Sequence, residues 1–154
     1  FARGREPRLR EVELNGLINA AFVRSGAGAA DAIQFKFDSG PSDAHITADP
    51  EQMEQVFINL FSNAREALKG SGTVTASVAA SDEAVTIRVA DNGPGVPRDA
   101  LDKVFEPFYT TRDKGTGLGL AIVFNIIKKH YGEISVESKE GKGTVFTIIL
   151  PRRI

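Results

Sequence analysis

The sequence predicts an α+β fold, a two-layer sandwich in which one mixed sheet of about five strands is covered on one face by about three helices. Three observations carry this expectation. Helix-like and strand-like stretches are mixed along the chain without the strict βαβ order of a parallel sheet. Residues 51–69 hold a long apolar stripe at helical spacing. The shorter apolar runs on both sides of it read as strands.

Leu14 to Arg24 is the first helix, with Leu14, Leu17, Ile18, Ala21 and Phe22 in phase and a stop at the Gly/Ala-rich stretch 26–30. Residues 32–38 alternate, with Ile33, Phe35 and Phe37 set against Gln34 and Lys36, so a strand with one buried face is expected. Residues 44–48 follow the turn Ser39-Gly-Pro-Ser42 as a short partner strand. Asp49-Pro50 then punctuates, because Asp is a good N-cap and Pro a good first helical residue. The helix over 51–69 carries Met53, Val56, Phe57, Leu60, Phe61, Ala64 and Leu68 on one stripe and stops at Gly70. Strands are expected near 73–79 and 84–90. Residues 92–114, with three prolines and two glycines, read as a mobile loop, and long loops in compact domains are usually functional. A helix over 117–131 and strands at 134–137 and 144–150 complete the chain.

A chain of 154 residues suits a single domain with one core. An apolar share of 42% and a charged share of 25% are ordinary for globular proteins, and a net charge of -1 gives no electrostatic footprint for nucleic acid or an anionic membrane. There is no cysteine, which excludes disulfides and thiolate metal sites. No apolar run approaches the roughly 20 residues of a membrane span. The chain opens at Phe1 without an initiator Met, and Arg3 to Arg10 has linker character, so a piece of a longer polypeptide is expected.

Four blocks carry chemistry. Asn59 and Asn63 lie four residues apart on a helix, about 40° apart around its axis, on the flank of the apolar stripe. Either asparagine alone is equally at home on a solvated surface. The functional reading gives the Asn63 amide oxygen to Mg²⁺, a hard ion that takes few protein ligands beside the phosphates of its nucleotide. Asp91 ends an apolar strand and is followed by Asn92-Gly93-Pro94-Gly95, which taken alone is a tight turn. The alternative is an adenine reader. Its carboxylate accepts from the exocyclic amino group, and Gly93 and Gly95 keep side chains out of the way of the base. Gly115-Thr116-Gly117-Leu118-Gly119-Leu120 opens a helix, where free N–H groups and the helix dipole can receive phosphate. It is not a dinucleotide loop, because no strand immediately precedes it, and Lys142-Gly143 fails the Gly-Lys-Ser/Thr phosphate-loop pattern. Gly141 and Gly143 read as a hairpin turn.

The order and spacing of these blocks resemble the N box and the three glycine boxes of the ATP-binding domain of sensor histidine kinases, with Phe105-Glu-Pro-Phe108 in the place of the F box. The resemblance runs from about residue 12 to Pro151. It implies a Bergerat fold of the GHKL superfamily with an ATP lid, Mg²⁺ and ATP as cofactors, and Asn63 as the magnesium ligand. It implies adenine recognition by Asp91 and phosphate or pocket contacts from the segment 115–120 and from Gly93, Gly95, Phe108, Thr110, Thr111, Lys114 and Thr144. Phe105 and Phe108 anchor the lid by core packing. Many family members carry a basic residue and an aromatic three and four positions after the magnesium asparagine. Glu66 and Ala67 stand there in this chain, so those contacts fall to Arg65 or Lys69.

In gyrase-type ATPases of this fold the residue four before the magnesium asparagine is a glutamate acting as general base toward water. Asn59 cannot take a proton, which favours phosphate transfer to a protein group over hydrolysis. The resemblance therefore implies a cytoplasmic catalytic domain at 12–154 and a linker at 1–11, similar to those of kinases of the nitrogen-regulation type. The expected partners are the chain's own upstream dimerisation domain, which bears the phosphoacceptor histidine, and a response-regulator receiver. The piece itself is expected to be monomeric and the whole protein a homodimer. His45 in a strand and His130 at a helix C-terminus, where it complements the dipole, are poor acceptors. The rival readings are an anti-sigma-type serine kinase, a GHKL ATPase and a nucleotide-binding scaffold without catalysis.

Overall fold

The computed structural model describes residues 5–28, 32–40, 44–107 and 119–154. Its central element is helix α2, Pro50–Leu68, whose stripe from Met53 to Leu68 is buried as the sequence predicts. Asp49 caps it, its side chain accepting from the Gln52 N–H at 3.1 Å, with Pro50 opening the first turn. The left-handed stop is Lys69, at φ 52°, one residue before the glycine that the sequence marks as the stop.

Helix α1, Leu14–Arg24, packs against α2. Strand β2, Ala32–Asp38, completes this end of the core through a cluster of rings. Phe22 of α1 stacks on Phe35 of β2 at 4.0 Å, and Phe61 of α2 meets both edge-on.

The main sheet is built from β2, β4 (Ser71–Ala80), β5 (Ala84–Asp91), β6 (Glu133–Lys139) and β7 (Gly143–Pro151). Its order is β2-β4-β5-β7-β6. The β2–β4 pair is parallel and the others antiparallel, which makes the sheet mixed as expected. Alternation sets its two faces: Val74, Ala76, Val78, Ile87, Phe146 and Ile148 turn to the helices and are buried. The opposite face carries Thr75, Ser77, Arg88 and Thr147. Helix α4, Gly119–Lys129, packs beside α2 on the covered face. A fourth helix, α3 (Arg98–Leu101), is a single turn inside the stretch expected to be an irregular loop.

Residues 44–48 were expected to pair with 32–38, and that expectation is corrected. Strand β3, His45–Ala48, pairs antiparallel with β1, Arg10–Glu13, in a separate two-stranded sheet where buried Val12 faces buried Ile46. The edge of β2 goes instead to β4 in parallel, a pairing that needs a crossover, and β3 with α2 supplies it. β1 takes in Arg10 and Glu11, the last residues of the linker-like stretch.

The segment before β1 is tied to the α2 cap. Asp49 also accepts from the Arg5 guanidinium and from the Arg8 N–H at 2.8 Å, while Gln52 Nε2 donates to the Arg5 carbonyl at 2.8 Å. Burial alone raises the Asp49 carboxyl, but the Arg5 side chain and the N–H groups of Arg8 and Gln52 outweigh it, holding the carboxyl well below the usual carboxylate range. A folded-state value below the unfolded one stabilises the fold above about pH 4, and that stabilisation is lost as the pH falls from there toward the folded value. Asp49→Ala should cost about 2–4 kcal/mol from the lost cap and charged hydrogen bonds. Asp49→Asn should keep part of the cap but flatten the loss of stability below about pH 4. Urea denaturation of both variants across pH 2–7 (roughly the range in which carboxylates titrate) checks this.

Candidate functional site

The two asparagines of α2 are half-buried on its flank, one turn apart. Asn59 is committed within the protein: its Nδ2 donates to the Gly119 carbonyl at 3.0 Å, and its Oδ1 accepts from Gln55 Nε2. Both ends of its amide are engaged, and one of them fixes α2 to the first residue of α4. Asn63 lies one turn further on and is likewise half-buried. Among the described residues no group of three or more His, Asp or Glu could hold a metal.

Asp91 is the last residue of β5 and stands across from Thr144 of β7 and Val74 of β4. Its Oδ1 accepts from the Gly93 N–H at 2.9 Å, which closes a turn on the carboxylate. Asn92 fastens that turn to β4, its Oδ1 accepting from the Thr73 N–H at 2.8 Å. The turn then lies against the β6–β7 hairpin, where the Gly141 N–H donates to the Pro94 carbonyl at 2.7 Å.

Two glycines make this approach possible. A Cβ on Gly95 would stand 2.4 Å from the Lys139 carbonyl oxygen, and one on Gly143 only 1.9 Å from that of Asp91. Both also have positive φ, 79° and 113°. Asp91, Thr144, Ser138, Val96, Leu101 and Val136 line one cavity of about 850 Å³. A larger groove of about 1070 Å³ lies between β1, β3 and the C-terminal residues, away from all of these.

The structure thus brings Asp91, Gly93, Gly95 and Thr144 together at one end of the sheet and joins Asn59 to Gly119. Leu120 is half-buried in the first turn of α4. Arg65 is not gathered with them: it is exposed, with its guanidinium beside Gly26 after α1. Phe108, Thr110, Thr111, Arg112, Lys114, Gly115, Thr116, Gly117 and Leu118 lie outside the described residues.

Phe105 packs as expected, on Phe124 at 5.6 Å and Phe146 at 6.1 Å. His130 is buried and does more than complement a dipole: its Nδ1–H donates to the Ile126 carbonyl at 2.8 Å and its Nε2 accepts from the Asp49 N–H at 3.0 Å. Both bonds together require the neutral ring with its proton on Nδ1. Asn92 and Ser138 are site residues that the sequence reading passes over, since an isolated Asn or Ser at a turn or strand end carries no signal of its own.

Residues 48–154, more than half the chain, match the model of the histidine kinase-, DNA gyrase B-, and HSP90-like ATPases. The chain belongs to this family. The sensor histidine kinase ZraS of Escherichia coli K12 is 42% identical over 148 residues, which are 95% of the chain and 32% of ZraS. Sporulation kinase E of Bacillus subtilis is 45% identical over 79% of the chain and 16% of its own length. The chain therefore spans a third or less of these relatives.

Among solved structures, the nucleotide-free catalytic domain of histidine kinase ThkA superposes with a TM-score of 0.82 at 34% identity, covering 95% of this chain and 97% of that one. The mycobacterial sensor histidine kinase MprB gives 0.84 at 27% identity, covering 94% and 98%. The fold is that of histidine kinase catalytic domains, and ATP is the nucleotide of the family. No helix among the described residues is long and apolar enough to cross a membrane.

The glycine contacts make a sharp comparison. Gly141→Ala meets nothing within 4 Å and should cost only its positive φ, about 1–2 kcal/mol. Gly143→Ala must also push the end of β5 away, so it should lose more stability than Gly141→Ala and also weaken nucleotide binding. Thermal unfolding and ATP titration of the two variants give the answer; equal losses would contradict the backbone contact.

Proposed function

We propose that this chain is the ATP-binding catalytic domain of a two-component sensor histidine kinase. Residues 12–154 form the domain and residues 1–11 the linker from a separate upstream domain that dimerises and bears the phosphoacceptor histidine. A response-regulator receiver takes the phosphate onward, in the cytoplasm. The observation that carries this reading is Asn59. At the position where a hydrolytic relative needs a base, this chain has an amide that cannot accept a proton and is already bonded to Gly119.

The roles follow from the donors present. Asp91, held by the Gly93 N–H, accepts from the adenine amino group, and a carboxylate cannot donate to the carbonyl that guanine has there. Asn63 supplies an amide oxygen to Mg²⁺, which, when bound, neutralises phosphate charge during transfer. The start of α4 offers its N–H groups to the phosphates, and Thr110, Thr111 and Lys114 are assigned to the same phosphates as further donors. Transfer breaks the bond between the γ-phosphorus and its bridging oxygen, leaving ADP, as a bond to the acceptor imidazole nitrogen forms. The domain's contribution is to position the nucleotide and stabilise its charge.

Asn63→Ala should weaken ATP binding at least about tenfold in the presence of Mg²⁺ and much less without it. Calorimetry under both conditions separates the two, and equal losses would remove Asn63 from the magnesium shell. For the whole reading, the domain incubated with labelled ATP should neither label itself nor turn over appreciably. Adding the upstream helical domain should give acid-labile label on that domain alone. Fast hydrolysis by the isolated domain would favour the ATPase, and acid-stable label on an added protein would favour the serine kinase.

A further inference from the structure

The Ser138 hydroxyl sits where the adenine-side turn, the β6–β7 hairpin and Thr144 meet. Its Oγ accepts from the Val96 N–H at 2.7 Å and lies 2.9 Å from the Gly143 carbonyl oxygen and 2.9 Å from Thr144 Oγ1. Proton counting fixes the direction of all three bonds. An N–H can only donate, so the Val96 bond uses a lone pair of Ser138. A carbonyl can only accept, so the one hydroxyl proton of Ser138 goes to Gly143. Ser138 then has nothing left to donate to Thr144, and the third bond must be made with the proton of Thr144 itself. Every hydrogen-bonding position of Ser138 is filled, and Thr144 Oγ1 is left with lone pairs alone.

Thr144 is 6% exposed, stands across from Asp91 in the β5–β7 ladder, and lines the same cavity. Resting on the nucleotide reading above, we propose that Ser138 is a specificity-determining positioning residue: by holding the Thr144 proton it makes Thr144 a second obligate acceptor beside the Asp91 carboxylate. Two acceptors side by side match an exocyclic amino group with its two N–H donors, directly or through a water that passes one of them on. They repel a purine whose sixth position is a carbonyl. A threonine without this bond could rotate its hydroxyl and donate to that carbonyl, so Asp91 alone would discriminate less.

The test is calorimetry with ATP and with ITP, whose hypoxanthine has a carbonyl in place of the amino group and a proton on N1. In Ser138→Ala the ratio of ATP to ITP affinity should fall about three- to tenfold, the scale of one neutral hydrogen bond. Ser138→Thr, which keeps a hydroxyl, should restore most of it. Loss of the Val96 bond alone weakens both nucleotides equally and leaves the ratio unchanged, so an unchanged ratio overturns the inference. Thr144→Val gives an independent check should Ser138→Ala not fold: it must lower the same ratio. Wild-type protein that fails to bind ATP at all would sink the nucleotide reading instead. Wild-type preference for ATP that survives Ser138→Ala or Thr144→Val intact would sink only the role of Ser138.

Discussion

The burial of one stripe of α2 is the constraint on which the rest depends. Met53, Val56, Phe57, Leu60, Phe61, Ala64 and Leu68 have to leave water together, and among the described residues they pack against α1, α4, the inner face of β4 and β5, and Phe35 of β2. Once that stripe is down, the rotation of the helix about its axis is settled. Asn59 and Asn63, off the centre of the stripe, then fall half-buried at the rim of the core, where Asn59 meets the first residue of α4. The rings of Phe22, Phe35 and Phe61 lock the same rotation from the opposite side.

The other half of the site is built from backbone, and its constraint is contact distance. β5 and β7 are paired along their length from Ala84 to Asp91, so the end of one must pass the beginning of the other. Gly143 and Gly95 let the chains touch there, and Asn92, Ser138 and the Gly141 N–H spend their hydrogen bonds holding the turn in place. Such a turn presents Asp91 with little freedom to move, which suits the base-reading role proposed for it.

Much of this is visible in the sequence wherever the signal is local. The Asp49-Pro50 start of α2, its apolar stripe, the Asp91-Asn-Gly-Pro-Gly turn and the paired glycines at 141 and 143 announce themselves through residue type and spacing. What is not visible depends on partners distant in the chain. Residues 10–13 contain one apolar residue, Val12, and become a strand only because β3 lies alongside. The β2–β4 pairing is parallel, so no turn links the strands and nothing in the intervening sequence specifies it. Lys69 takes the left-handed position for which Gly70 is chemically better suited. Arg65 has the right charge for a phosphate, yet its place on the helix sends it toward Gly26.

The same distance effect governs how the segment before β1 meets the site. Asp49 is at once the cap of α2, the acceptor for Arg5 and for the Arg8 N–H, and, through its own N–H, the partner of buried His130 at the end of α4. One residue therefore joins the N-terminal segment, the helix of the two asparagines and the helix whose first turn meets Asn59. Displacing residues 5–8 breaks charge-assisted bonds to a buried carboxylate, and an uncompensated buried charge is costly. Any such displacement must move α2 along with it or strip the cap from its first turn. Either way the change is delivered to the element that carries Asn59 and Asn63, because the apolar stripe leaves α2 no way to adjust one end alone.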